Sequence, residues 1–84
     1  MKLYSYFGKF NAAGQQVRVA RENAHLSQEQ LAAKLQLEGL GVSQKTISRI
    51  EHGQRGIPDY ELIALSKVLH VSVTWLLGIE KEDA

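Results

Sequence analysis

Eighty-four residues, 44% of them apolar, are enough for one small core and leave no room for a second. The absence of cysteine excludes disulfides, thiolate nucleophiles and cysteine-ligated zinc. No stretch has the length and apolarity of a signal peptide or membrane span, so the expectation is a cytoplasmic protein with no membrane partner.

The net charge of +1 conceals a division. Residues 1–58 carry eight basic side chains against four acidic ones, and the remainder carries two against five. A basic part joined to an acidic part suits a chain that turns one surface toward a polyanion.

A single proline, scattered glycines and no run of alternating β-branched residues argue against a sheet. Residues 1–9 read as an N-terminal arm holding Tyr4, Tyr6 and Phe7. The first helix is predicted from near Asn11, as N-cap, to about Asn23, with Phe10, Val17, Ala20 and Ala24 along one stripe. The second has the clearest start in the chain. Ser27-Gln28-Glu29-Gln30 reads as a capping box, and Leu26 and Leu31 are spaced as a hydrophobic staple around it. Leu31 and Leu35 then face the core, and Ala32 permits close approach of another helix.

Gly39 and Gly41 punctuate Gln36 to Val42, and Ser43 is the predicted N-cap of a third helix that stops at Gly53. On a helical wheel Gln44, Lys45, Ser48, Arg49 and His52 share an arc of roughly 140°. Ile47 and Ile50 point the opposite way, with Thr46 beside them. A fourth helix follows Pro58, with Asp59 as cap and Leu62, Leu65, Val68 and Leu69 as its buried side. A fifth starts at Ser72, carries Val73, Trp75, Leu76 and Leu77, and closes at Gly78. The expectation is an all-α, compact five-helix domain over residues 10–79, followed by an acidic tail at 80–84.

Two segments, Leu26-Ser27-Gln28-Glu29-Gln30-Leu31-Ala32-Ala33-Lys34-Leu35 and Val42-Ser43-Gln44-Lys45-Thr46-Ile47-Ser48-Arg49-Ile50-Glu51-His52-Gly53, resemble the Xre family, which includes the Cro and repressor proteins of lambdoid phages. The resemblance runs on through Pro58 and Leu69 to Gly78. It implies a lambda-repressor-like domain with a helix-turn-helix at helices 2 and 3, whose helix 43–52 enters the major groove. The function implied is sequence-specific binding of double-stranded DNA by a transcriptional regulator, a repressor, acting as a homodimer on a near-palindromic operator.

Carried over by position, Gln44, Lys45, Ser48 and Arg49 are the expected base contacts. Their chemistry suits, since glutamine pairs bidentately with adenine while arginine and lysine donate to guanine. Gln28, Ser43, Thr46, His52, Gln54 and Arg55 are expected to touch phosphate or position the helix. The resemblance also implies a buried ion pair between Arg21 and Glu51, and a dimer contact through Val73, Trp75, Leu76 and Ile79. Each assignment has a plainer counterpart. The polar face of helix 3 also reads as an ordinary solvated face, Ser43 and Thr46 as capping groups, and Trp75 and Leu76 as core. The aromatic arm fits a core contact, a DNA contact or a partner contact equally well.

One departure from the family pattern is the extra segment Gln36-Leu37-Glu38-Gly39-Leu40, which either lengthens helix 2 by about a turn or bulges as a loop. The alternative function is an antitoxin-like or other protein-interaction module on the same fold. An enzyme is not expected, because no glycine-rich phosphate loop or nucleophile motif is present. His25, His52 and His70 match no metal-ligand spacing, so neither a cofactor nor a small-molecule ligand is expected.

Overall fold

A computed structural model describes residues 6–79; Tyr4 of the arm and the acidic tail at 80–84 lie outside the described residues. Five helices follow in chain order: α1 (Gly14–Asn23), α2 (Gln28–Leu37), α3 (Gln44–Glu51), α4 (Asp59–Leu69) and α5 (Val73–Leu76). Helix α3 packs on α2 and α1, α4 lies against α2 and α1, and α5 closes onto α1 and α4. The core is built from Val17 and Ala20 of α1, Leu31, Ala32 and Leu35 of α2, Ile47 and Ile50 of α3, Leu65 and Leu69 of α4, and Leu76 of α5. Among the described residues no helix is long and apolar enough to cross a membrane.

Helix α1 begins three residues later than its expected cap. Asn11 still serves the helix start, because its Oδ1 accepts from the Gly14 amide at 2.7 Å. Its Nδ2 has a longer reach, donating to the Ile50 carbonyl at 3.0 Å and the Arg55 carbonyl at 2.8 Å. One asparagine therefore ties the entry of α1 to both ends of the segment that leaves α3. Gly14 makes this approach possible, since a Cβ there would lie 2.2 Å from the Ile50 carbonyl oxygen. The expected stripe is shortened accordingly: Val17 and Ala20 are buried, whereas Phe10 and Ala24 are exposed.

The capping box that starts α2 is present as two hydrogen bonds. Ser27 Oγ accepts from the Gln30 amide at 3.0 Å while Gln30 Oε1 accepts from the Ser27 amide at 2.8 Å. Leu26 packs against the core in which Leu31 is fully buried, as a staple requires. The extra segment resolves into both options in sequence. Helix α2 continues through Gln36 and Leu37, Glu38 caps it, and Gly39 turns the chain at φ +90. The following loop is held by Gln36 Nε2, which donates to the Val42 carbonyl at 2.7 Å. Lys67 of α4 adds a 2.8 Å ion pair with Glu38, and this raises the lysine pKa.

The start of α4 differs from expectation. Pro58, not Asp59, occupies the N-cap, and no side chain caps the helix. Asp59 and Glu61 instead place negative charge in the first turn, where the helix dipole favours it. Leu62 and Val68 are only half-buried, and Ala64 takes part of the buried face in their stead. Helix α5 is a single turn capped by Ser72, whose Oγ accepts from the Trp75 amide at 3.0 Å.

Candidate nucleic-acid interface

The arc read from the wheel becomes a surface. Gln44, Lys45, Arg49 and His52 are exposed and Ser48 is half-buried, while Ile47 and Ile50 are buried at 0% and 1% on the opposite side. The apolar back locks α3 to the domain, and the front projects long hydrogen-bonding side chains. Ser43 and Thr46 form a capping box at its start: Ser43 Oγ accepts from the Thr46 amide, and Thr46 Oγ1 accepts from the Ser43 amide, each at 3.2 Å. Both hydroxyls are thereby occupied in starting the helix.

Behind this face lies a chain of side-chain hydrogen bonds that links three helices. Arg21 of α1 holds Glu51 of α3 with both prongs, Nε to Oε2 at 2.6 Å and Nη2 to Oε1 at 3.1 Å. Its third nitrogen, Nη1, donates to the Leu26 carbonyl at 2.9 Å. The Glu51 side chain is 2% exposed and that of Arg21 12%, so the ion pair expected from the resemblance is present and buried. The hydrogen bond to Glu51 raises the Arg21 pKa, outweighing desolvation.

Gln28, the first residue of α2, extends this chain outward. Its Nε2 donates to Glu51 Oε1 at 3.0 Å, and its Oε1 accepts from Gln44 Nε2 at 2.6 Å. An open cleft where α2 and α3 begin is lined by Arg21, Ser27, Gln28, Glu29 and Gln44. Gln28 is thus a brace for the first residue of α3.

The loop after α3 is arranged differently from the sequence expectation. Arg55 directs its half-buried guanidinium onto Glu61, Oε1 at 2.7 Å and Oε2 at 3.0 Å, and onto the Gly56 carbonyl at 3.0 Å. The Glu61 side chain is 8% exposed, and its hydrogen bond raises the Arg55 pKa. Arg55 anchors the loop to α4 in this structure. Gln54 is exposed, with its backbone bonded to Arg49: its amide donates to the Arg49 carbonyl at 2.8 Å. His52 Nδ1 lies 2.7 Å from the Ser48 carbonyl, leaving its other ring nitrogen facing outward.

Among the dimer candidates, Leu76 is fully buried and belongs to the core. Val73 and Trp75 are half-buried, and Ile79 is 68% exposed. Tyr60 and Ile63, one turn apart on α4, are also exposed and escaped sequence reading, since Leu62, Leu65 and Leu69 make a more continuous stripe. Glu61 and the long-range bonds of Asn11 were missed for a similar reason: they depend on partners distant in sequence.

The family model described as Helix-turn-helix matches residues 17–76. The fold is similar to that of the P22 c2 repressor protein, crystallised in complex with synthetic operator 9T in the presence of Tl+. That match has a TM-score of 0.69 and 28% identity, covering 83% of this chain and 98% of the other. The restriction-modification controller protein C.AhdI from Aeromonas hydrophila is similar at a TM-score of 0.65 and 28% identity, over 75% of this chain and 84% of that one. No curated protein matches at a significant level. A family match across most of the chain, on a fold whose second and third helices form the braced unit described above, establishes that the chain belongs to the helix-turn-helix family.

Proposed function

We propose that this protein is a transcriptional regulator, a repressor, that binds double-stranded DNA sequence-specifically by laying α3 in the major groove. The observation that carries the reading is the outward face of α3, where Gln44, Lys45, Ser48 and Arg49 converge while its back is fixed in the core. The P22 c2 repressor, at 28% identity over nearly its whole length, is itself bound to an operator, which supports extending that partner to this chain. Gln28 and His52 flank the face as phosphate contacts, with Gln54 beyond them. The protein acts in the cytoplasm without a catalytic step.

The reading includes a homodimer on a near-palindromic operator, with half-sites about 10 bp apart. Exposed Ile79, with half-buried Val73 and Trp75, supports a two-fold contact. Selection of bound sequences from a random duplex library, followed by affinity measurements at several salt concentrations, tests the function. Enrichment of a two-part motif and a steep fall in affinity between about 50 and 200 mM salt are expected. No enriched sequence and a flat salt response would contradict it.

A further inference from the structure

The arm ahead of α1 is a sequence feature to which the proposed function gives no role. Its described part is a tight hairpin. Lys9 donates to the Tyr6 carbonyl at 3.0 Å and the two residues form a bridge, with Phe7 at φ +49 and Gly8 at φ +79 between them. Positive φ at both central positions is the turn that matches strand twist, and asparagine or glycine ordinarily occupies the first of them. Phe7 is strained there and gains little burial in return, because its ring is 89% exposed. Its ring meets that of Tyr6 edge to face at 4.7 Å.

The hairpin is moored to the end of α3. The Phe10 amide donates to the Gly53 carbonyl at 2.9 Å. The Lys9 stem lies over Gly53 so closely that a Cβ there would meet its Cδ at 2.7 Å. Lys9, Arg18 and His52 line one open groove between α1 and the end of α3. The carboxylates at that groove are already engaged, Glu22 with Arg18 at 3.7 Å and Glu51 with Arg21. With those charges compensated, Lys9 is the cation of the groove that no carboxylate among the described residues pairs with, and through His52 the groove is continuous with the face assigned to DNA.

We infer that the Tyr6–Phe10 hairpin is a second DNA-contacting element. Lys9 neutralises a phosphate beyond the C-terminal end of α3, and the Phe7 ring lies against the neighbouring deoxyribose. The uncompensated ammonium of Lys9 and the continuity of the groove with His52 select nucleic acid over an apolar partner. This inference rests on the proposed function, so its test separates the two.

The full-length chain is titrated with its selected duplex at several salt concentrations, as wild type, Lys9→Gln, Phe7→Gly and Gln44→Ala. Lys9→Gln keeps the stem over Gly53, and its binding should lose about 0.9 from the slope of log affinity against log salt, or about threefold of the affinity lost between 50 and 200 mM. Phe7→Gly relaxes the turn, so its melting temperature should hold or rise while affinity falls on all sequences alike. Sugar protection at the outer edge of the footprint should also disappear in that variant. If both arm variants bind with wild-type slope, affinity and footprint while Gln44→Ala loses sequence preference, the arm proposal is overturned and the function stands. If wild type shows no salt-dependent DNA binding, the proposal falls together with that function.

Discussion

Gln28 and Gln44 are joined by a 2.6 Å hydrogen bond whose direction is dictated from inside the protein. The Glu51 carboxylate only accepts, so Gln28 must turn its amide nitrogen to it and its oxygen to Gln44. Gln44 must then spend one N–H on Gln28, which leaves its Oε1 and second N–H facing outward. That remaining pair is the pattern that recognises adenine in the major groove. The buried ion pair thus orients an exposed side chain two hydrogen bonds away.

This relay makes the two glutamines energetically dependent on each other. In a double-mutant cycle on operator binding, Gln28→Ala and Gln44→Ala should be non-additive by about 0.5–3 kcal/mol. Gln28→Ala alone should weaken binding to all sequences, because the proposed function gives it a phosphate contact, and should also blur preference at the base proposed for Gln44. Strict additivity would mean that the hydrogen bond between them does nothing on DNA.

The base of the relay is structural. Removing either member of a buried pair strands the other, so Arg21→Ala and Glu51→Ala should each cost about 3–5 kcal/mol in denaturant unfolding. Arg21→Lys should recover little of this, since an ammonium cannot make the paired contacts to Glu51 or reach the Leu26 carbonyl as well. The raised Arg21 pKa means that its share of stability is complete at any pH below the ordinary arginine range and fades only above it. Melting temperatures across neutral and mildly alkaline pH should therefore show no loss from this residue.

Gly14 gives a test in which two principles oppose each other. Alanine is the better helix former by about 1 kcal/mol. Its methyl would stand 2.2 Å from the Ile50 carbonyl oxygen, a backbone atom that cannot swing aside. Overpacking at such a contact costs about 1–3 kcal/mol or more, so Gly14→Ala should lower stability despite its propensity. A more stable variant in thermal unfolding would show that α1 and α3 are less tightly apposed.

What the sequence made legible follows the range of each interaction. The capping boxes at Ser27 and Ser43 join residues three apart, and both were readable as local patterns. The two faces of α3 were equally legible, because helical periodicity alone separates Ile47 and Ile50 from Gln44 and Arg49. The Arg21–Glu51 pair spans 30 residues and was reached only through family resemblance. Asn11, bonded to carbonyls 39 and 44 residues away, and Arg55, turned inward to Glu61, had no such guide. A cation in a loop looks the same in sequence whether it faces a phosphate or a buried carboxylate.

The central claim is that α3 reads bases through a side chain that the protein has oriented in advance. Its most direct test is the affinity of wild type and Gln44→Ala for the selected operator and for every single-base variant of it. Gln44→Ala should weaken the best operator by about 1–3 kcal/mol and flatten preference at one base pair, leaving the other positions as they were. An unchanged profile in Gln44→Ala, and likewise in Lys45→Ala, Ser48→Ala and Arg49→Ala, would contradict the claim.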